Sequence, residues 1–256
     1  MKLTLIGGPT VLIEAGGFRL LTDPTFDGPG EYRLPHTMLV KTSGPALDPQ
    51  ALGPVDVVLL SHDQHADNLD TAGRACLGTA GRVLTTQAGA ARLGGRAEGL
   101  APWDTTDVTK PDGRALRVTA TPARHGPAGI EPLAGDVIGF VVTVGDQRGS
   151  AIYITGDTVW YEGVAEVSRR YRVGLVLVFA GAARTRGAFH LTMDANDVIE
   201  TASAFPDALI VPVHCDGWAH FSEGCGDVVQ SFAALGIGGR LQLLRPGVAT
   251  AITGSS

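Results

Sequence analysis

The chain has 256 residues, 44% of them apolar and 18% charged, which is enough apolar content to build a core and excludes an intrinsically disordered chain. Its 35 glycines and 15 prolines are scattered without a period, excluding collagen-like and low-complexity classes and implying many turns. The net charge is −6 and the 20 Lys and Arg are dispersed, so no basic track exists for a phosphate backbone and nucleic acid is not an expected partner.

The opening reads as a meander of three short strands, Lys2 to Ile6, Thr10 to Glu14 and Phe18 to Thr22, separated by Gly7-Gly8-Pro9 and Ala15-Gly16-Gly17. This N-terminus lacks the apolar run and small-residue cleavage site of a secretory signal. Cys76, Cys215 and Cys225 stand at unrelated spacings and read as reduced thiols, so a cytoplasmic location is expected. A long Gly-, Pro- and Asp-rich loop from Asp23 to about Pro54 follows as a candidate functional loop, and His36 within it could line a cleft.

From Val55 the pattern alternates strand and helix: Val55 to Leu60 then Leu69 to Leu77, and Val83 to Thr85 then Gln87 to Leu93 with Gly94 as a C-terminal cap. A second β block covers Leu116 to Thr121, Val137 to Val144 and Ala151 to Thr155, the last two joined by GDQRG as in a hairpin. Val173 to Ala180 and Ala208 to Val213 are continuous apolar runs, expected of strands buried on both faces. Between them Ala195, Val198, Ile199, Ala202 and Phe205 mark one buried helix face, and Asp227 to Leu235 reads as a further helix. The longest apolar stretch, Val173 to Ala183, falls short of the roughly 18 residues of a membrane span. The expected architecture is an α/β fold: one domain over residues 1–256, a four-layer αββα sandwich of two β blocks with helices outside.

Four strand candidates end in a histidine or aspartate: VDVVLLSHD at His62 and Asp63, ALRVTATPARH at His125, AIYITGD at Asp157 and ALIVPVH at His214. If those ends share one side of the sandwich, the four groups meet in a cleft, and imidazole with carboxylate is a ligand set for zinc, iron or manganese. The turn SHDQHADNLD adds His65, Asp67 and Asn68, although Asp67 or Asn68 could instead cap the helix that follows. No G-x-S-x-G, P-loop or C-x-x-C motif is present. Cys215 directly follows His214, and adjacent strand residues face opposite ways, so both are not expected as ligands. His220 and Trp218 in HCDGWAHFSEG are open between contacting substrate and covering a sheet edge.

These motifs in this order, with Asp23-Pro24 at the start and HLTMDANDVIE from His190, resemble the metallo-β-lactamase superfamily over nearly the whole chain. They look most like the branch of the L-ascorbate-6-phosphate lactonases and the N-acylphosphatidylethanolamine phospholipase D type. The family pattern His-x-His-x-Asp-His is read here with one extra residue, as His62, His65, Asp67 and Asn68, so an asparagine replaces the last histidine. A reading without the gap puts Asp63 at the first position, and both registers are open, with His62 preferred. The resemblance implies His62, His65, His125 and Asp157 around a first metal, and Asp67, Asp157 and His214 around a second that the loss of imidazole at position 68 weakens.

The activity implied is hydrolysis of an ester, lactone, amide or phosphodiester by a water that the metal activates. Asp67 is expected to orient or deprotonate that water, and His190 to protonate the leaving group or hold the substrate. Zinc, as one or two ions, is the expected metal, with iron or manganese compatible with the carboxylates. Arg184 and Arg186, two residues apart beside His190, are expected to hold an anionic group of a small-molecule substrate. A homo-oligomer stays open, as do two other functions on this fold: an iron-dependent oxidoreductase and a non-catalytic binding protein.

Overall fold

The computed structural model describes residues 1–34, 37–145 and 151–252. In chain order the elements are β1 Lys2–Gly7, β2 Thr10–Ala15, β3 Phe18–Thr22, β4 Gly30–Arg33, β5 Met38–Lys41, β6 Val57–Leu59, α1 Thr71–Cys76, β7 Arg82–Thr86, α2 Gln87–Leu93 and β8 Ala97–Leu100. They continue with β9 Thr105–Thr109, β10 Ala115–Pro122, α3 Glu131–Ala134, β11 Ile138–Val144, β12 Ala151–Ile154, α4 Glu162–Arg170, β13 Val173–Phe179, α5 Ala195–Ala204, β14 Leu209–Val213, α6 Cys225–Ala234 and β15 Thr250–Ala251.

Two sheets face each other. One has the order β15-β1-β2-β3-β6-β7-β8 and the other β14-β13-β12-β11-β10-β9. Between them lies a core that includes Leu3, Phe18, Leu20, Leu59, Phe140, Leu177 and Phe179. A second core, with Tyr153, Val164, Val167, Val198, Ala202, Val228 and Phe232, seals α4, α5 and α6 onto the outer face of the second sheet. A third, with Leu21, Val58, Leu60, Leu69 and Leu77, covers the outer face of the first. Helix, sheet, sheet, helix is the expected four-layer order. The continuous apolar runs are explained by it: in β13, Leu175, Leu177 and Phe179 enter the inter-sheet core while Val173, Val176 and Val178 meet the helices.

The loop from Asp23 to Pro54 is not structureless. It contains the antiparallel pair β4 and β5: β4 is mostly exposed, and β5 is only four residues long with Leu39 and Lys41 buried, so neither carries an apolar alternation long enough to announce it. Helix α4 also escaped the periodicity reading, because only Val164 and Val167 of it are buried. β11 and β12 pair antiparallel as expected of a hairpin, but positions 146–150 of its turn lie outside the described residues, as does His36. Among the described residues no helix is long and apolar enough to cross a membrane.

Candidate metal centre

In the second sheet β12, β13 and β14 run parallel, and the two antiparallel pairings through β11 give β10 the same direction. Their C-terminal ends therefore share one edge, where the chain leaves β10 for His125, β12 for Asp157 and β14 for His214. From the first sheet β6 delivers Ser61 and His62 to the same place. Two backbone features fix this junction. Gly156 has φ 61°, and a Cβ there would lie 2.6 Å from the Ile138 carbonyl and 2.9 Å from Ser61 Cβ, so only glycine lets the strand end approach Ser61. His214 itself sits at φ 56°, a left-handed conformation that costs a non-glycine residue on the order of 1–3 kcal/mol and clusters at functional sites. Its amide is anchored to the Gly8 carbonyl at 2.9 Å.

His62, His65, His125 and Asp157 form one group, with a ligand atom from each within 4.8 Å of all the others. His62 Nε2 lies 2.9 Å and His125 Nε2 lies 3.2 Å from the same His65 Nδ1, and Asp157 Oδ2 is 3.5 Å from His125 Nε2. The outer nitrogens fix two tautomers. His125 Nδ1 donates to the Leu191 carbonyl at 2.8 Å, leaving Nε2 as a lone pair. Ser61 donates its hydroxyl and its amide to Asp23 Oδ1, at 2.7 and 2.9 Å, so its oxygen accepts from His62 Nδ1 at 2.9 Å and His62 Nε2 is also a lone pair. Lone pairs thus converge with Asp157, neither of whose oxygens has a hydrogen-bond partner. Burial and the neighbouring imidazoles push His62 well below its usual pKa and His65 down to about 4, so both rings are neutral at neutral pH and each has one nitrogen lone pair to offer. A buried cluster with more acceptors than donors, including a carboxylate without a partner, fits a bound cation.

Asp67, Asp157 and His214 form a second group that shares Asp157 with the first. His214 Nε2 lies 3.4 Å from Asp157 Oδ1 and 3.6 Å from Asp67 Oδ2. Burial opposes ionisation of both aspartates, but the histidines around them prevail and hold both carboxyls below the usual range. Asp67 Oδ1 and both nitrogens of His214 are buried without a partner.

The other candidates stand outside both groups. Asp63 is claimed by Arg92, whose Nε donates to it at 3.0 Å and whose Nη2 donates at 2.5 Å, so the gapped register with His62 describes the geometry. His190 joins a separate cluster at the start of α5, with Nε2 3.1 Å from Asp197 and Nδ1 3.6 Å from Asp194. The Asp197 bond outweighs burial and raises its pKa. Arg186 donates to the Leu133 carbonyl at 3.1 Å and stands within electrostatic reach of His65; Arg184 bears in the same way on His190. Asp70, not Asp67 or Asn68, caps α1 by accepting from the Gly73 amide.

Three more residues, His220, Cys215 and Cys225, make contacts that local sequence does not signal. The His220 side chain is only 8% exposed and its Nε2 lies 3.0 Å from Asp67 Oδ2, a contact 153 positions apart that no local pattern signals. Cys215 and Cys225 are not reduced thiols but a disulfide with Cα atoms 5.5 Å apart, because the turn after β14 brings the first residue of α6 back to the strand end. Cys76 alone is free.

Similarity to known proteins agrees with this geometry. A metal-dependent hydrolase of Oenococcus oeni is 27% identical over 226 residues, covering 84% of this chain and 85% of that one. One from Carboxydothermus hydrogenoformans is 25% identical over 258 residues, covering 96% and 98%. The crystal structure of an isothiocyanate hydrolase from Delia radicum gut bacteria shares the fold with a TM-score of 0.84 at 24% identity, covering 98% of this chain and 99% of that one. Residues 18–215 match the family described as the beta-lactamase superfamily domain. With its four-layer fold and its histidines and aspartates gathered at the strand ends, the chain belongs to the metallo-β-lactamase superfamily.

Proposed function

We propose that this chain is a metal-dependent hydrolase of a small, anionic substrate, with the buried His and Asp centre as its active site. The observation that carries this reading is the convergence of the His62 and His125 lone pairs on His65 Nδ1 and on an Asp157 carboxylate with no hydrogen-bond partner. The relatives named as metal-dependent hydrolases support it. His62, His65, His125 and Asp157 would hold a first cation, and Asp67, Asp157 and His214 a second. Imidazole-rich donors favour zinc, and the carboxylates also accept iron or manganese. When bound, such a cation polarises a carbonyl or phosphoryl oxygen and lowers the pKa of nearby water.

The protein's own groups do the rest. Asp67, kept ionised by His220 and His214, accepts the proton of the attacking water through its unpaired Oδ1. His190, held protonated to higher pH by Asp197, is the donor to the leaving group. Arg184 and Arg186 hold an anionic part of the substrate through forked hydrogen bonds. The bond cleaved is an ester, lactone, amide or phosphodiester.

The test is a panel of such compounds assayed with and without chelator, together with elemental analysis of protein purified without added metal. One to two equivalents of metal are expected, with turnover abolished by chelation and metal lost in a His65→Ala and Asp157→Ala double variant. Turnover that survives complete metal removal would overturn the reading.

A further inference from the structure

The second group of donors is short by one. Four side chains surround the first position but only Asp67, Asp157 and His214 the second, and Asn68, beside Asp67, offers a neutral amide in place of an imidazole. One imidazole nearby belongs to neither group. His220 stands in the loop between β14 and α6, with its backbone fixed on both sides: the Ala219 amide donates to the Val40 carbonyl at 2.9 Å and the His220 carbonyl accepts from Arg184 at 3.0 Å. Its ring is walled by Trp218 and by Phe221, whose centroids lie 5.9 and 4.7 Å away, and Phe221 in turn packs edge-on against His214. His220 Nε2 is thereby aimed at Asp67 Oδ2, 3.0 Å away, the same oxygen that faces His214 Nε2. An ionised Asp67 can only accept, so in the metal-free protein Nε2 donates to Oδ2, while the opposite nitrogen, Nδ1, is buried without a partner and can take the ring's proton when a cation claims Nε2.

We propose that His220 is the fourth protein ligand of the second cation position, supplying through Nε2 the imidazole that Asn68 does not. The inference rests on the cation-binding reading above. A histidine that only hydrogen-bonds Asp67 would satisfy the carboxylate without completing the donor set. A ligand would set whether the second equivalent binds at all.

Zinc titration by calorimetry, with elemental analysis after desalting, separates these roles in the wild type and in the His220→Ala, His220→Gln and Asn68→Ala variants. The wild type is expected to take two equivalents. His220→Ala is expected to keep the first with unchanged affinity and to bind the second about a hundredfold or more weakly, since even outer partners of metal ligands are worth about 10–100-fold. His220→Gln, whose amide still donates to Asp67 but lacks imidazole, is expected to behave like the alanine variant. If alanine also costs the first equivalent, the glutamine variant alone is decisive. Wild-type affinity for the second equivalent in His220→Gln would overturn the proposal, as would its loss in Asn68→Ala with His220→Ala unaffected. A wild type holding a single equivalent would overturn this proposal and leave the first centre standing; one holding none would overturn both.

Discussion

Ser61→Ala removes one hydroxyl and leaves every proposed ligand in place. That hydroxyl is fully buried, donates to Asp23 Oδ1 at 2.7 Å and accepts from His62 Nδ1 at 2.9 Å, so it holds His62 in the tautomer whose Nε2 lone pair faces the centre. In the metal-free variant the imidazole escapes the loss by moving its proton to Nε2, where His65 Nδ1, 2.9 Å away, accepts it. Metal-free stability therefore changes little. Cation binding requires the original tautomer and so leaves the Nδ1 proton buried without an acceptor, at a cost of about 1–3 kcal/mol. The first-equivalent dissociation constant should rise about 10–100-fold, the range reported for outer partners of metal ligands. Competition against a chromogenic chelator measures this, with the metal-free melting curve as the control for folding and Ser61→Thr, which keeps a hydroxyl, as the rescue. An alanine variant that folds normally and binds the first equivalent within about twofold of wild type would refute the tautomer argument.

Three further outcomes are expected. The metal-free protein should lose stability as pH falls from 6.5 toward 4, because His65 titrates at about 4 when folded against 6.5 when unfolded and the unfolded chain takes up the extra proton in that window; denaturant melts at stepped pH read the slope, and added zinc should deepen it because protons then compete with the cation. Lys41→Met should destabilise the fold by about 3–5 kcal/mol, since it strips the ammonium at 2.9 Å from the buried Asp70 carboxylate that caps α1 and accepts from Phe26 and Asp27; a loss under about 1 kcal/mol in urea melts would mean those amides suffice. Substituting Arg184 and Arg186 by Ala should raise KM much more for a charged substrate than for its neutral analogue, and equal effects on both would show that these arginines do not read charge.

The strands that build both sheets announce themselves in the sequence because burial dictates residue type locally. Val173 to Phe179 and Leu209 to Val213 are apolar throughout because each face of the second sheet is covered, and the His or Asp that follows such a run is where the chain meets the cleft. The candidate donors of both groups were legible for the same reason: each stands at a strand end or in the turn after β6. Their register was not. Nothing in SHDQHADNLD tells His62 from Asp63, and the choice is made by Arg92 of α2, which claims Asp63, and by Ser61 and Asp23, which turn His62 inward. His220 and the Cys215–Cys225 pair were beyond local reading, since one meets Asp67 from 153 positions away and the other is closed by the return of α6 to the end of β14. The sequence by itself determined the layers and the chemistry of the donors, because both follow from burial and residue type along short segments. Which donors face one another was decided only by the tertiary structure, because it depends on contacts between distant segments that no local spacing encodes.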